Sequence, residues 1–212
     1  MKKRKKKYLP ILHPSKKSFS ASTFKVAVAR TQGRRHESAN IPCQDSVLGF
    51  CSEKLASIVL ADGAGSATYS SLGAQIVVNT ITRTLKENFK RIIRSKEAKA
   101  KHKVMGPVIR MLTEVSKRYR TELKQYAATL LFVATDGKKL LIGQLGDGRI
   151  GIRNAITGEW RTVLNASKSC RTAQKKACTS VPAACLHRPY PGCRTGFQNM
   201  IGRHWNPPSK II

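Results

Sequence analysis

One junction constrains this chain more than any other. Residues 58–61 (Ile-Val-Leu-Ala) run without polar interruption into Asp62-Gly63-Ala64-Gly65-Ser66. A short apolar run rich in β-branched residues and closed by glycines predicts a buried strand. The Asp62 carboxylate then stands at the strand's mouth, and Gly63 and Gly65 let the backbone turn sharply while leaving its carbonyls open to an ion. Asp-Gly is equally a hairpin-turn signature, and on local grounds both readings stay open.

The flanking segments place that junction in a fold. Residues 24–29 alternate as a strand, residues 30–37 form a polar turn, and residues 47–50 and 55–61 give two more strands. Three strands with short connections predict an antiparallel sheet. From Ser70 the period changes: Leu72, Ile76, Val77, Thr80, Ile81 and Leu85 recur at helical spacing, extended by Phe89, Ile92 and Ile93, with Arg and Lys outward. Residues 96–103 form a charged break. Residues 104–126 predict a second helix, with Val108, Met111, Leu112, Val115, Tyr119 and Leu123 as its apolar stripe and Pro107 in its first turn. Strands return at 127–135, 139–145, 149–153 and 160–164, separated by turns at Asp136-Gly137, residues 146–148 and Thr157-Gly158. The order is α+β, with sheets covered by helices.

The two ends are of another kind. The 212 residues carry 40 Lys and Arg against 11 Asp and Glu, a formal charge of +29. Much of that excess lies in residues 2–7, all Lys or Arg, and beyond Glu159, after which no acid occurs. Residues 1–23 are expected to be a flexible basic leader, residues 24–164 one domain, and residues 165–212 an irregular, disordered tail. The tail's abrupt change of composition resembles translation in a shifted frame. Its Cys170, Cys178, Cys185 and Cys193 lack any Cys-x-x-Cys pair, a poor match to zinc modules even with His187 or His204. Charge carried by the ends argues against a nucleic-acid-binding domain. No apolar run is long enough to span a membrane, and the basic start lacks the apolar stretch of a secretory signal. The expected location is cytoplasmic, with reduced thiols.

Three aspartates flank predicted strands: Asp45, Asp62 and Asp147. Converging carboxylates repel one another and are costly without a cation. An all-oxygen donor set favours Mg²⁺ or Mn²⁺, and two such ions about 3.5–4 Å apart can acidify a shared water and present it to phosphorus.

The succession Gly33-Arg34-Arg35-His36, Pro42-Cys43-Gln44-Asp45, Ala61-Asp62-Gly63-Ala64-Gly65-Ser66 with Gly73-Ala74, Ala128-Thr129-Leu130 and Gly146-Asp147-Gly148-Arg149 resembles the metal-dependent serine/threonine protein phosphatases of the PPM, or protein phosphatase 2C-like, family, in its bacterial-type branch. The resemblance covers roughly residues 24–164. It implies a partial αββα sandwich of two antiparallel sheets flanked by helices, with a centre of two Mg²⁺ or Mn²⁺ ions at one end. By the same resemblance Asp62 bridges both ions, Gly63 offers a carbonyl, Asp45 holds one ion and its waters, and Asp147 serves a weaker additional metal site. Arg34, Arg35 or His36 receives the substrate phosphate. The implied activity is hydrolysis of phosphoserine and phosphothreonine in a phosphoprotein substrate.

The chain departs from the family at its end. The family supplies two further metal aspartates from a later Asp-Gly and a final Asp-Asn segment, and neither exists here after Glu159. A truncated, non-catalytic phosphatase-like protein is therefore the alternative expectation, with a basic nucleic-acid-binding protein behind it.

Overall fold

The computed structural model describes residues 15–20, 24–154, 156–164, 197–200 and 209–211. Its centre is a five-stranded antiparallel sheet in the order β3-β4-β5-β6-β9. These strands are β3 (Asp45–Ser52), β4 (Leu55–Asp62), β5 (Leu130–Thr135), β6 (Leu140–Leu145) and β9 (Phe197–Met200). Strand β1 (Ser15–Ser20) pairs with β2 (Lys25–Arg30), and β10 (Ser209–Ile211) and β8 (Trp160–Leu164) flank β7 (Ile150–Asn154).

The pleat of the central sheet divides its side chains between two cores. On one face Val59, Ala61, Leu130, Phe132, Ala134 and Leu141 pack beneath helices α2 (Ser70–Ile93) and α3 (Glu97–Arg118). Ile81, Leu85 and Ile92 of α2 and Val104 and Val108 of α3 close that core. The outward face of α2 carries Arg83, Lys86, Lys90 and Arg91, and the Lys86 ammonium lies 4.3 Å from the centre of the Phe50 ring. On the opposite face Val26 and Val28 of β2 pack with Ala56, against which Val47 and Ile58 rest. Farther along, Ile150 of β7 packs with Val133, Leu140 and Ile142. The layers are helices, central sheet and a second tier of strands, as the partial sandwich requires.

Several expectations are corrected. The first three strands do not share a sheet: β2 pairs with β1 and crosses to the second tier, because its buried Val26 and Val28 are needed there. Within residues 1–23 the described segment, Ser15–Ser20, is the strand β1. The polar turn at 30–37 contains a one-turn helix, α1 (Arg34–Ser38). The charged break shrinks to residues 94–96, since the Lys-rich stretch after it is good helix-forming sequence whose Ala100 and Val104 reach the core. Helix α3 ends at Arg118, and a separate 3₁₀ turn, Leu123–Tyr126, follows. Among the described residues after 164, β9 pairs with β6 and β10 with β7. The Lys2–Lys7 patch, the four tail cysteines with His187 and His204, and most of the proposed frame-shifted segment lie outside the described residues. Cys43 and Cys51 are free thiols. No helix among the described residues is long and apolar enough to cross a membrane.

Candidate active site

Antiparallel pairing of β3 and β4 puts Asp45 opposite Asp62. Cross-strand partners share a face of the sheet, so both carboxylates stand on the face turned towards β2. They line an open cleft of about 390 Å³ with Ala29, Arg30, Leu60, Thr129 and Asp147.

Electrostatics reflect the crowding. The Asp62 carboxyl is raised from 3.8 to about 6. Desolvation by the cleft walls contributes most, although one side of Asp62 remains open to water. A hydrogen bond with the Asp45 carboxyl comes next, followed by the negative charges of Asp45 and Asp147, while His36 pulls in the other direction.

The backbone around the pair is tightly held. Gly63 N–H donates to the Gln44 carbonyl at 3.1 Å, and Ala64 N–H to the Ala127 carbonyl at 2.9 Å. A Cβ at Gly63 would fall 2.7 Å from the Ser70 carbonyl oxygen and 2.9 Å from that of Gln44, so only glycine fits between these two backbones. Asp147 sits in a turn whose flanking glycines have φ of +93° and +127°, a region costly for other residues. The Gln144 side-chain amide donates to the carbonyls of Gly146 and Gly148, at 3.1 and 3.3 Å.

The expected site residues are therefore only partly gathered. Asp45 and Asp62 meet, and Asp147 lines the same cleft, but among the described residues no three His, Cys, Asp or Glu side chains stand close enough together to hold a metal ion. Gly63 follows Asp62 directly at the strand end. His36, half-buried on α1, is near enough for its charge to act on Asp62. Arg34 and Arg35 begin the same helix, and the Arg34 side chain is exposed.

Two contributors were missed. Arg30 Nη1 donates to the Asp45 carbonyl at 2.9 Å and brings a guanidinium to the cleft. Thr129 Oγ1 accepts the Asp62 N–H at 2.9 Å, and Thr129 N–H donates to the Asp62 carbonyl at 2.7 Å. Arg30 had no signal beyond opening the polar turn after an alternating strand. Thr129 stood in a motif already noted, without a role.

Fold and cleft together define an α+β sandwich protein with an acidic, oxygen-lined site at the strand ends of its central sheet. A family profile described as Protein phosphatase 2C matches residues 32–181, and the chain belongs to that family. It is 26% identical over 134 residues to serine/threonine-protein phosphatase 3 of Escherichia coli (strain K12), covering 60% of this chain and 53% of that protein. The chain thus spans about half the length of this curated relative. Similar solved structures include the Mycobacterium tuberculosis serine/threonine phosphatase PstP/Ppp, at 18% identity, TM-score 0.45, and 80% and 66% coverage of the two chains. The Streptococcus agalactiae serine/threonine phosphatase has 15% identity, TM-score 0.45, and 94% and 73% coverage. The PstP catalytic domain in complex with two manganese ions has 16% identity, TM-score 0.43, and 80% and 65% coverage.

Proposed function

We propose that this chain carries the metal- and phosphate-handling half of a serine/threonine protein phosphatase, acting on phosphoserine and phosphothreonine in proteins. The observation that carries the reading is the cross-strand pair Asp45–Asp62 at the cleft mouth, in a member of the protein phosphatase 2C family. An all-oxygen pair with excess negative charge suits a hard divalent cation such as Mg²⁺ or Mn²⁺. Asp62 and Asp45 would hold it, with Asp147 and the Gly63 carbonyl as further oxygen donors. When bound, such a cation offsets charge on phosphoryl oxygens and acidifies water.

The protein's own groups do the rest. Arg30 holds the Asp45 backbone and presents positive charge on the β2 side of the cleft, where a phosphate oxygen would be received. His36 on α1, whose charge acts on Asp62, and Arg34 and Arg35 at the start of the same helix are the further candidates to receive phosphate. The domain proposed to do this is residues 24–164, and its proposed location is the cytoplasm. A second reading, a phosphatase-like protein that binds phosphoproteins without turnover, is favoured by the lack of a three-ligand cluster among the described residues.

The deciding experiment is hydrolysis of a phosphothreonine peptide by the purified chain with and without Mn²⁺, beside Asp62→Asn. Turnover that requires Mn²⁺ and vanishes in the variant supports the phosphatase. Peptide binding by a folded chain with no turnover above the variant supports the second reading.

A further inference from the structure

Thr129 makes three contacts at once, each with a different atom. Its N–H donates to the Asp62 carbonyl, and its hydroxyl accepts the Asp62 N–H. Its methyl lies against Gly146, where a Cβ would fall 2.8 Å from Thr129 Cγ2. Gly146 opens the turn that carries Asp147.

The contacts occur where the sheet stops serving Asp62. The regular β4–β5 pairing ends at Leu60 and Leu131, with one isolated bridge beyond it between Gly63 and Ala128. The Asp62 N–H has the Thr129 hydroxyl as its partner, and this bond ties Asp62 to Thr129 where the ladder no longer does. On the other side, Gly146 leaves no room for a side chain, so the methyl sets how closely the turn approaches β5. Serine would keep the hydroxyl and lose the methyl. Valine would keep methyl bulk and lose the hydroxyl. Threonine alone among these supplies both.

We propose that Thr129 is a positioning residue that fixes the separation of Asp62 from the Asp147 turn, through a hydroxyl arm to Asp62 and a methyl arm to Gly146. Its consequence for catalysis rests on the phosphatase reading above, but the positioning itself does not.

The test uses the full chain, with amide exchange and amide resonances followed by NMR in the wild type, Thr129→Val and Thr129→Ser. In Thr129→Val the Asp62 amide is expected to exchange about tenfold faster or more, the loss of one hydrogen bond, while Gly146 and Asp147 hold their resonances. In Thr129→Ser the Asp62 amide stays protected and the Gly146–Gly148 resonances move. Unchanged Asp62 exchange in Thr129→Val, or both ends disturbed alike by both variants, overturns the proposal. Added Mn²⁺ gives a separate readout: it should broaden the Asp62 and Asp147 amides together in the wild type and unequally in either variant. If Mn²⁺ broadens neither in the wild type, the phosphatase reading fails, and the exchange data still decide the role of Thr129.

Discussion

Asp45 and Asp62, 17 positions apart in sequence, are direct cross-strand partners at the open ends of β3 and β4. The Asp45 carboxylate opposes the ionisation of Asp62. Burial and the Asp45 carboxyl together move Asp62 to about 6.

That shift makes stability depend on pH in a defined direction. Between 3.8 and about 6 the folded protein binds more protons at Asp62 than the unfolded chain does. The group's effect on stability is therefore neutral below pH 3.8, turns unfavourable as pH rises through this window, and is fully unfavourable above about 6. Water on the open side of Asp62 screens the penalty to about 1 kcal/mol. In metal-free buffer, Asp62→Asn should be more stable than the wild type by about that amount at pH 7.5 and equal to it near pH 3.5. Urea midpoints at the two pH values check this, and a pH-independent gain would place the cause elsewhere.

A divalent cation should reverse the sign. If Asp45 and Asp62 hold Mn²⁺ or Mg²⁺, free ion at ten times its dissociation constant adds about 1.4 kcal/mol to the wild type. Asp62→Asn should lose most of that gain. Thermal melts across a Mn²⁺ titration give the comparison, and equal shifts in both proteins would mean that the ion binds elsewhere.

The Phe132 ring lies over its cross-strand partner Gly143: a Cβ there would fall 2.1 Å from Phe132 Cε1. The ring is fully buried in the helix-side core. Gly143→Ala should cost about 1–3 kcal/mol through overpacking. Adding Phe132→Leu should recover part of it, giving a non-additive double-mutant cycle measured by chemical denaturation.

Gly73 is held more rigidly. A Cβ at this position would fall 2.1 Å from the Tyr126 carbonyl oxygen, so the clash is with backbone. Tyr126 cannot swing aside, because its ring stacks on Tyr69 at 5.4 Å and its hydroxyl is 2.8 Å from Thr121 Oγ1. Gly73→Ala should destabilise by about 3 kcal/mol and shift the near-ultraviolet tyrosine signal. A loss below about 0.5 kcal/mol, the range of ordinary surface changes, would show that α2 can lift away from the 3₁₀ turn.

The local elements were legible where period and punctuation agreed. The β4 strand up to Asp62, the α2 helix from Ser70 and the hairpin at Asp136-Gly137 follow from residues that meet at short range. At that hairpin Gly137 has φ of +84° and the Asp136 carboxylate accepts the N–H groups of Lys138 and Lys139. The charged stretch before Val104 misled because polarity was weighed above helix propensity and the core position Ala100 hidden in it. The pairing of β9 with β6 was invisible because nothing periodic marks residues 197–200.

For the site, the motif order alone singled out Asp45, Asp62 and Asp147. Their chemistry is a property of side-chain type, and their placement at strand ends follows from the apolar runs beside them. The tertiary structure alone decided that Asp45 faces Asp62, that Arg30 crosses from the second strand tier to the cleft, and that Thr129 ties Asp62 to the Asp147 turn. Pattern fixes which face of a strand a residue occupies, because backbone geometry is local. Which strand lies opposite, and in what register, depends on burying both faces of the central sheet at once, and that condition exists only when the whole chain is packed.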